Sequence, residues 1–140
     1  MKLTTRLLTI AAFATLACTT TPVFAAEQDH KKSEHAVKIP DTAQAIVAEI
    51  HKHHGEVTQT IKAKSLKTVH DHAEAITALV NALPAKVAAD KKARVEGTAK
   101  NIAKLADALH DAADAGDQAK TEAQLKKLDA VLAQLDSQVK

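Results

Sequence analysis

From Asp41 to the end of the chain, apolar residues return in alternating steps of three and four. Four such stripes can be traced. The first is Val47, Ile50, His54, Val57 and Ile61, and the second is Leu66, Val69, Ala73, Ile76, Val80 and Leu83. The third is Val95, Thr98, Ile102, Leu105, Leu109 and Ala112, and the fourth is Thr121, Leu125, Leu128, Leu132, Leu135 and Val139. Steps of this size keep side chains on one side of an α-helix, so each stripe is a narrow seam that a neighbouring helix must cover. Composition agrees, since Ala fills 25 of the 115 positions from 26 onward and only two Pro and three Gly occur there. Ala is the strongest helix former. Many seam positions are Ala or Thr, which predicts close helix packing around a lean core.

Turn and cap residues divide this region into four. Asp41 is placed to cap the first helix, with Gln44 as a capping-box partner. Ser65 is placed to cap the second, and Leu83-Pro84 stops it. Asp90 can open the third helix, Gly116 ends it, and Asp117 caps the fourth. The predicted helices are 41–63, 65–83, 90–115 and 117–139. Short connections make sequential helices antiparallel, so the expected architecture over residues 40–140 is an all-α, up-down-up-down four-helix bundle. The alternative is a pair of helical hairpins that completes its core as a homodimer.

The first 25 residues read differently. Lys2 and Arg6 precede an apolar run from Leu7 to Cys18, and Val23-Phe24-Ala25 places small residues where a signal peptidase cuts. A cleaved secretory leader and a periplasmic protein are expected, because the apolar run is too short for a stable membrane span. Leu16-Ala17-Cys18 invites a lipoprotein reading, but Thr15 stands where an aliphatic residue belongs, so lipidation at Cys18 is not expected. Residues 26–39 are polar, without periodicity, and read as a flexible tail. The formal charge of +2 includes Lys2 and Arg6, and without the leader the chain is neutral. No Lys/Arg block remains to grip phosphates, so nucleic acid is not an expected partner.

The leader also holds the only Cys, the only Met and both Phe. The rest of the chain has no thiolate or thioether ligand, no disulfide and no aromatic platform for bases. It does have eight His. His30 and His35 lie in the tail, and His51, His53, His54, His70, His72 and His110 lie in the predicted helices. With ~1.5 Å of rise per residue, measured from the turns near 64 and 116, these six fall between ~8 and ~20 Å, in one half of the bundle. His54 occupies a seam position. His51 lies one turn before it, His70 and His72 flank the second seam on opposite sides, and His110 flanks the third. His53 lies off the seam, close to Glu49 and Glu56. Glu74 follows His70 by four residues, Asp107 precedes His110 by three and Asp114 follows it by four. Such pairs can share a cation or orient an imidazole. Imidazole is an indifferent helix former, and neutral imidazole is the commonest protein ligand for Zn(II), Cu(II) and Ni(II). The six helical histidines are therefore candidate ligands of one divalent ion shared by three helices, with His54 and His72 foremost. The ordinary alternatives are a hydrogen-bonded core histidine for His54 and solvated flank residues for the others.

His54 with Glu56, Val69-His70-Asp71-His72-Ala73, Ala82-Leu83-Pro84 and Gly97-Thr98-Ala99-Lys100-Asn101-Ile102 together resemble small periplasmic four-helix proteins found beside bacterial heavy-metal efflux systems. The resemblance implies a role in metal resistance or sensing, an efflux system as partner, and His54, His70 and His72 as metal positions. The shape is also similar to that of four-helix haem cytochromes, but no C-x-x-C-H and no axial Met is present, and haem is not expected. No nucleophile constellation, phosphate-binding Gly loop or H-E-x-x-H motif occurs, so an enzyme is not expected. The expectation is a periplasmic divalent-metal-binding protein acting as buffer, carrier or sensor. The alternative is a helical interaction or chaperone-like module with no specific metal site.

Overall fold

A computed structural model of the chain describes residues 37–140. The expected leader and residues 26–36 of the expected tail, His30 and His35 among them, lie outside the described residues, whereas Val37 and Ile39, also expected in the tail, are half-buried against the core, as their apolar side chains favour. Four α-helices make up most of the described region: α1 (Ala43–Lys62), α2 (Val69–Ala82), α3 (Ala89–Asp114) and α4 (Gln118–Val139). Each packs against the next in sequence, and α1 meets α4 along a narrower seam. No helix among the described residues is long and apolar enough to cross a membrane.

Three helix starts differ from expectation, each for a local reason. Thr42, not Asp41, caps α1: its backbone is extended and its Oγ1 accepts the Ala45 N–H at 3.2 Å. The residue a capping box needs is then Ala45, so Gln44 has no such part. Ser65 makes no side-chain cap, because its backbone is already committed. Its N–H donates to Thr60 O and the Lys64 N–H to Ile61 O, both at 3.0 Å, which is a Schellman closure of α1. A 3-10 turn, Leu66–Thr68, comes next, and α2 begins at Val69 rather than 65. α3 starts at Ala89 after an extended Ala88, leaving Asp90 inside the first turn rather than capping it.

The other boundaries lie where the punctuation puts them. Pro84 sits in a short 3-10 turn, Leu83–Ala85, that ends α2. α3 closes with the same Schellman pattern, Asp117 N–H to Ala112 O and Gly116 N–H to Ala113 O, with Gly116 at φ +69°. The Asp117 carboxylate accepts the Lys120 N–H at 2.9 Å and caps α4.

The core follows the four stripes with local exchanges. Ile50, Val57, Ile61, Val69, Ile76, Val80, Leu83, Val95, Ile102, Leu109, Leu128 and Leu135 are buried. Ile46 takes the inward place expected of Val47, and Leu79 joins from beside the second stripe, while Leu66, Leu105 and Leu125 are half-buried. His54 lies outside the core, on the flank of α1 that meets α4, with 18% of its side chain exposed, about as much as His53.

Candidate metal centres

The six helical histidines do not converge on one point. Among the described residues two groups bring three ligand atoms within 4.8 Å of one another: His53, Glu56 and His72, and His70, His110 and Asp114. Each group joins two helices, not three. His54, expected foremost, belongs to neither, and neither does His51.

The first group bridges α1 and α2. His53 Nδ1 lies 3.1 Å from His72 Nδ1 and 3.4 Å from Glu56 Oε2, and His72 Nδ1 lies 3.2 Å from the same oxygen. The three atoms form a nearly equilateral triangle. Two ligands of a tetrahedral ion with ~2.05 Å bonds lie about 3.3 Å apart, so this triangle has the dimensions of one face of such a site. His53 and Glu56 are three residues apart on α1, which puts them on one face of the helix. The rings stand with centroids 5.4 Å apart, tilted by 44°. Both are largely covered, with 19% and 24% of the His53 and His72 side chains exposed.

Burial pushes the His53 imidazole below its ordinary pKa of 6.5; Glu56 works against this, His72 and Lys52 with it, and Glu49 against. The shift favours the neutral ring, the form that binds metals. His53 and His72 also line an open cleft of about 810 Å³, whose other charged lining residues are Lys38, Asp41, Glu49 and Asp71.

The second group bridges α2 and α3. His70 Nδ1 contacts His110 Nε2, and the rings meet edge to face with centroids 4.2 Å apart. Asp114 Oδ2 is 3.0 Å from His110 Nε2 and 3.9 Å from His70 Nδ1. The other ring nitrogen of His70, Nε2, is 3.2 Å from Glu74 Oε1.

His51 and His54 instead face α4. His51 Nε2 hydrogen-bonds with Asp136 Oδ1 at 2.7 Å, in the open. His54 Nε2 is shut off from solvent with Asp129 Oδ1 2.6 Å away, within ion-pair distance but outside hydrogen-bond alignment. Neither aspartate carries a sequence signal for these contacts, because the register of α4 against α1 is a product of packing. Glu56, Glu74 and Asp114 are visible in the sequence only through their helical spacing from His53, His70 and His110. His110 takes Asp114 as its carboxylate neighbour.

No family model matches the chain, and no curated protein or solved structure matches it.

Proposed function

We propose that this chain is a periplasmic protein that binds a divalent transition metal, Zn(II), Cu(II) or Ni(II), as a buffer, carrier or sensor in metal homeostasis. It does so within an up-down-up-down bundle exported by residues 1–25. The observation that carries the reading is the triangle His53 Nδ1, His72 Nδ1 and Glu56 Oε2, with sides of 3.1, 3.4 and 3.2 Å. Two imidazoles and a carboxylate suit a borderline divalent ion. Three protein ligands leave a fourth position for water or for a ligand from a receiving protein. Of the three positions that the resemblance to efflux-associated four-helix proteins implies, His70 and His72 each sit in a triad and His54 sits in neither.

Binding is tested by calorimetric titration of the protein with Zn(II), Cu(II) and Ni(II) at pH 7.5 and pH 5. Protons compete for imidazole, so saturable binding is expected at pH 7.5 and its loss at pH 5. His53→Ala and His72→Ala should each remove one binding event, whereas His51→Ala should remove none. Binding that is absent at both pH values, or that survives unchanged in the His53 and His72 variants, contradicts the proposal and favours a helical interaction module.

A further inference from the structure

We propose that the chain holds two ions rather than one, the second at His70, His110 and Asp114, with Glu74 as the residue that positions His70. This rests on the metal-binding reading above and extends it to a second, independent centre.

Successive residues on an α-helix are about 100° apart, so His70 and His72 leave α2 about 200° apart, on opposite flanks. One flank meets α1 and the other meets α3. A single ion therefore has no means of using both rings, and each ring has found its own partner across its own seam: His53 for His72, His110 for His70. The two triads share no residue.

The second triad differs from the first in its support. His70 offers Nδ1 toward His110 and Asp114 while its Nε2 faces Glu74 at 3.2 Å. A carboxylate behind the far nitrogen of a ligating imidazole fixes its tautomer and raises its basicity. Glu74 thus holds the proton on Nε2 and leaves the Nδ1 lone pair aimed at the ion. The contact then has His110 Nε2–H donating to His70 Nδ1, and an ion replaces it when the His110 ring takes its other tautomer, with its one hydrogen on Nδ1 and the Nε2 lone pair free, so that no proton is lost from the ring. The charges match as well: Asp114 and Glu74 together balance a divalent ion held by two neutral rings. For both nitrogens to reach one ion the close His70–His110 contact must open, and Asp114, the last residue of α3 with its side chain 60% exposed, lies 3.0 Å from His110 Nε2 and 3.9 Å from His70 Nδ1, near enough to close the third corner.

Native mass spectrometry of the zinc-loaded protein at neutral pH, read beside calorimetric titration, tests the proposal. The expected stoichiometry is two Zn(II) per chain. His70→Ala or His110→Ala should leave one, and so should His53→Ala or His72→Ala. Combining His53→Ala with His70→Ala should leave none. Glu74→Gln, which spares every ligand, should weaken only the ion lost with His70, by roughly 10–100-fold. Asp114→Asn, at an exposed position, should weaken the same ion and guards against a histidine variant that fails to fold. One ion per chain, lost only with the His53 and His72 variants, overturns the second centre and leaves the first standing. Two ions that both survive the His70 and His110 substitutions also overturn it. No bound ion at all overturns the metal-binding reading itself.

Discussion

His53 shows how little of a site a single residue's sequence position reveals. It lies off the apolar stripe, where a solvated ring is the ordinary outcome, yet it is four-fifths covered and forms one corner of the nearly equilateral triad. Its neighbour His54 lies on the stripe and is the stronger candidate by that measure, but it turns to Asp129 on α4. The difference is one of direction: α2 covers one flank of α1 and α4 the other, and the stripe marks only the middle. Burial has a consequence for His53 in solution. Its pKa in the fold is lowered from 6.5, with desolvation the largest cause, Glu56 and Glu49 opposing it, and His72 and Lys52 adding to it. Between the folded and unfolded values the unfolded chain binds more protons at this ring, so stability rises with pH there. The contribution is complete above about pH 6.5 and is lost as pH falls through the window below it. An NMR titration of the metal-free protein should find His53 titrating below the ordinary imidazole value of 6.5. His53→Asn should flatten the dependence of urea-unfolding stability on pH just below about 6.5, and an unchanged profile would count against the assignment.

At the scale of elements, the two closely similar helix endings make a controlled comparison. α1 and α3 both close in a Schellman motif with one residue at positive φ, Lys64 at 55° and Gly116 at 69°. A side chain in that conformation costs roughly 1 kcal/mol. Gly116→Ala should therefore lower unfolding stability by about 1 kcal/mol, and Lys64→Gly should raise it by a similar or smaller amount, both read from urea denaturation. Gly55 is a different case. A Cβ there meets nothing within 4 Å, so it makes room for no neighbour, and Gly55→Ala should stabilise α1 by roughly 0.5–1 kcal/mol. The four stripes, Pro84, Gly116 and Asp117 make these elements legible in the sequence, because each acts through local backbone chemistry. The start of α2 is not legible: a cap residue at 65 reads as a helix start, but the closure of α1 uses the Ser65 N–H first. The 3-10 turn after it climbs ~2.0 Å per residue, which accounts for part of the way His72 comes level with His53. His70 and His110, by contrast, match in height on a simple count of residues from the two turns, at ~8 and ~10 Å. Which flank of α2 each imidazole uses depends on where α1 and α3 pack, and no local signal carries that.

For the molecule as a whole, the candidate ligands sit at seams between helices, so a bound ion is also a cross-link. The triads tie α1 to α2 and α2 to α3, while α4 is joined to α1 by His51–Asp136 and His54–Asp129. An ion that binds only the folded chain stabilises it by about 2.7 kcal/mol at a hundred times its dissociation constant. For a folded region of this size that is a rise in Tm of roughly 10–20 °C per centre, reversed by a chelator, and smaller in His72→Ala. The central claim is that His53, Glu56 and His72 form a coordinating face, and its most direct test is an anomalous difference map from a crystal grown with Zn(II) at neutral pH. The account predicts a peak about 2.1 Å from His53 Nδ1, His72 Nδ1 and a Glu56 carboxylate oxygen. Zinc found only on solvent-facing carboxylates, with the His53 and His72 rings still paired and metal-free, would contradict it.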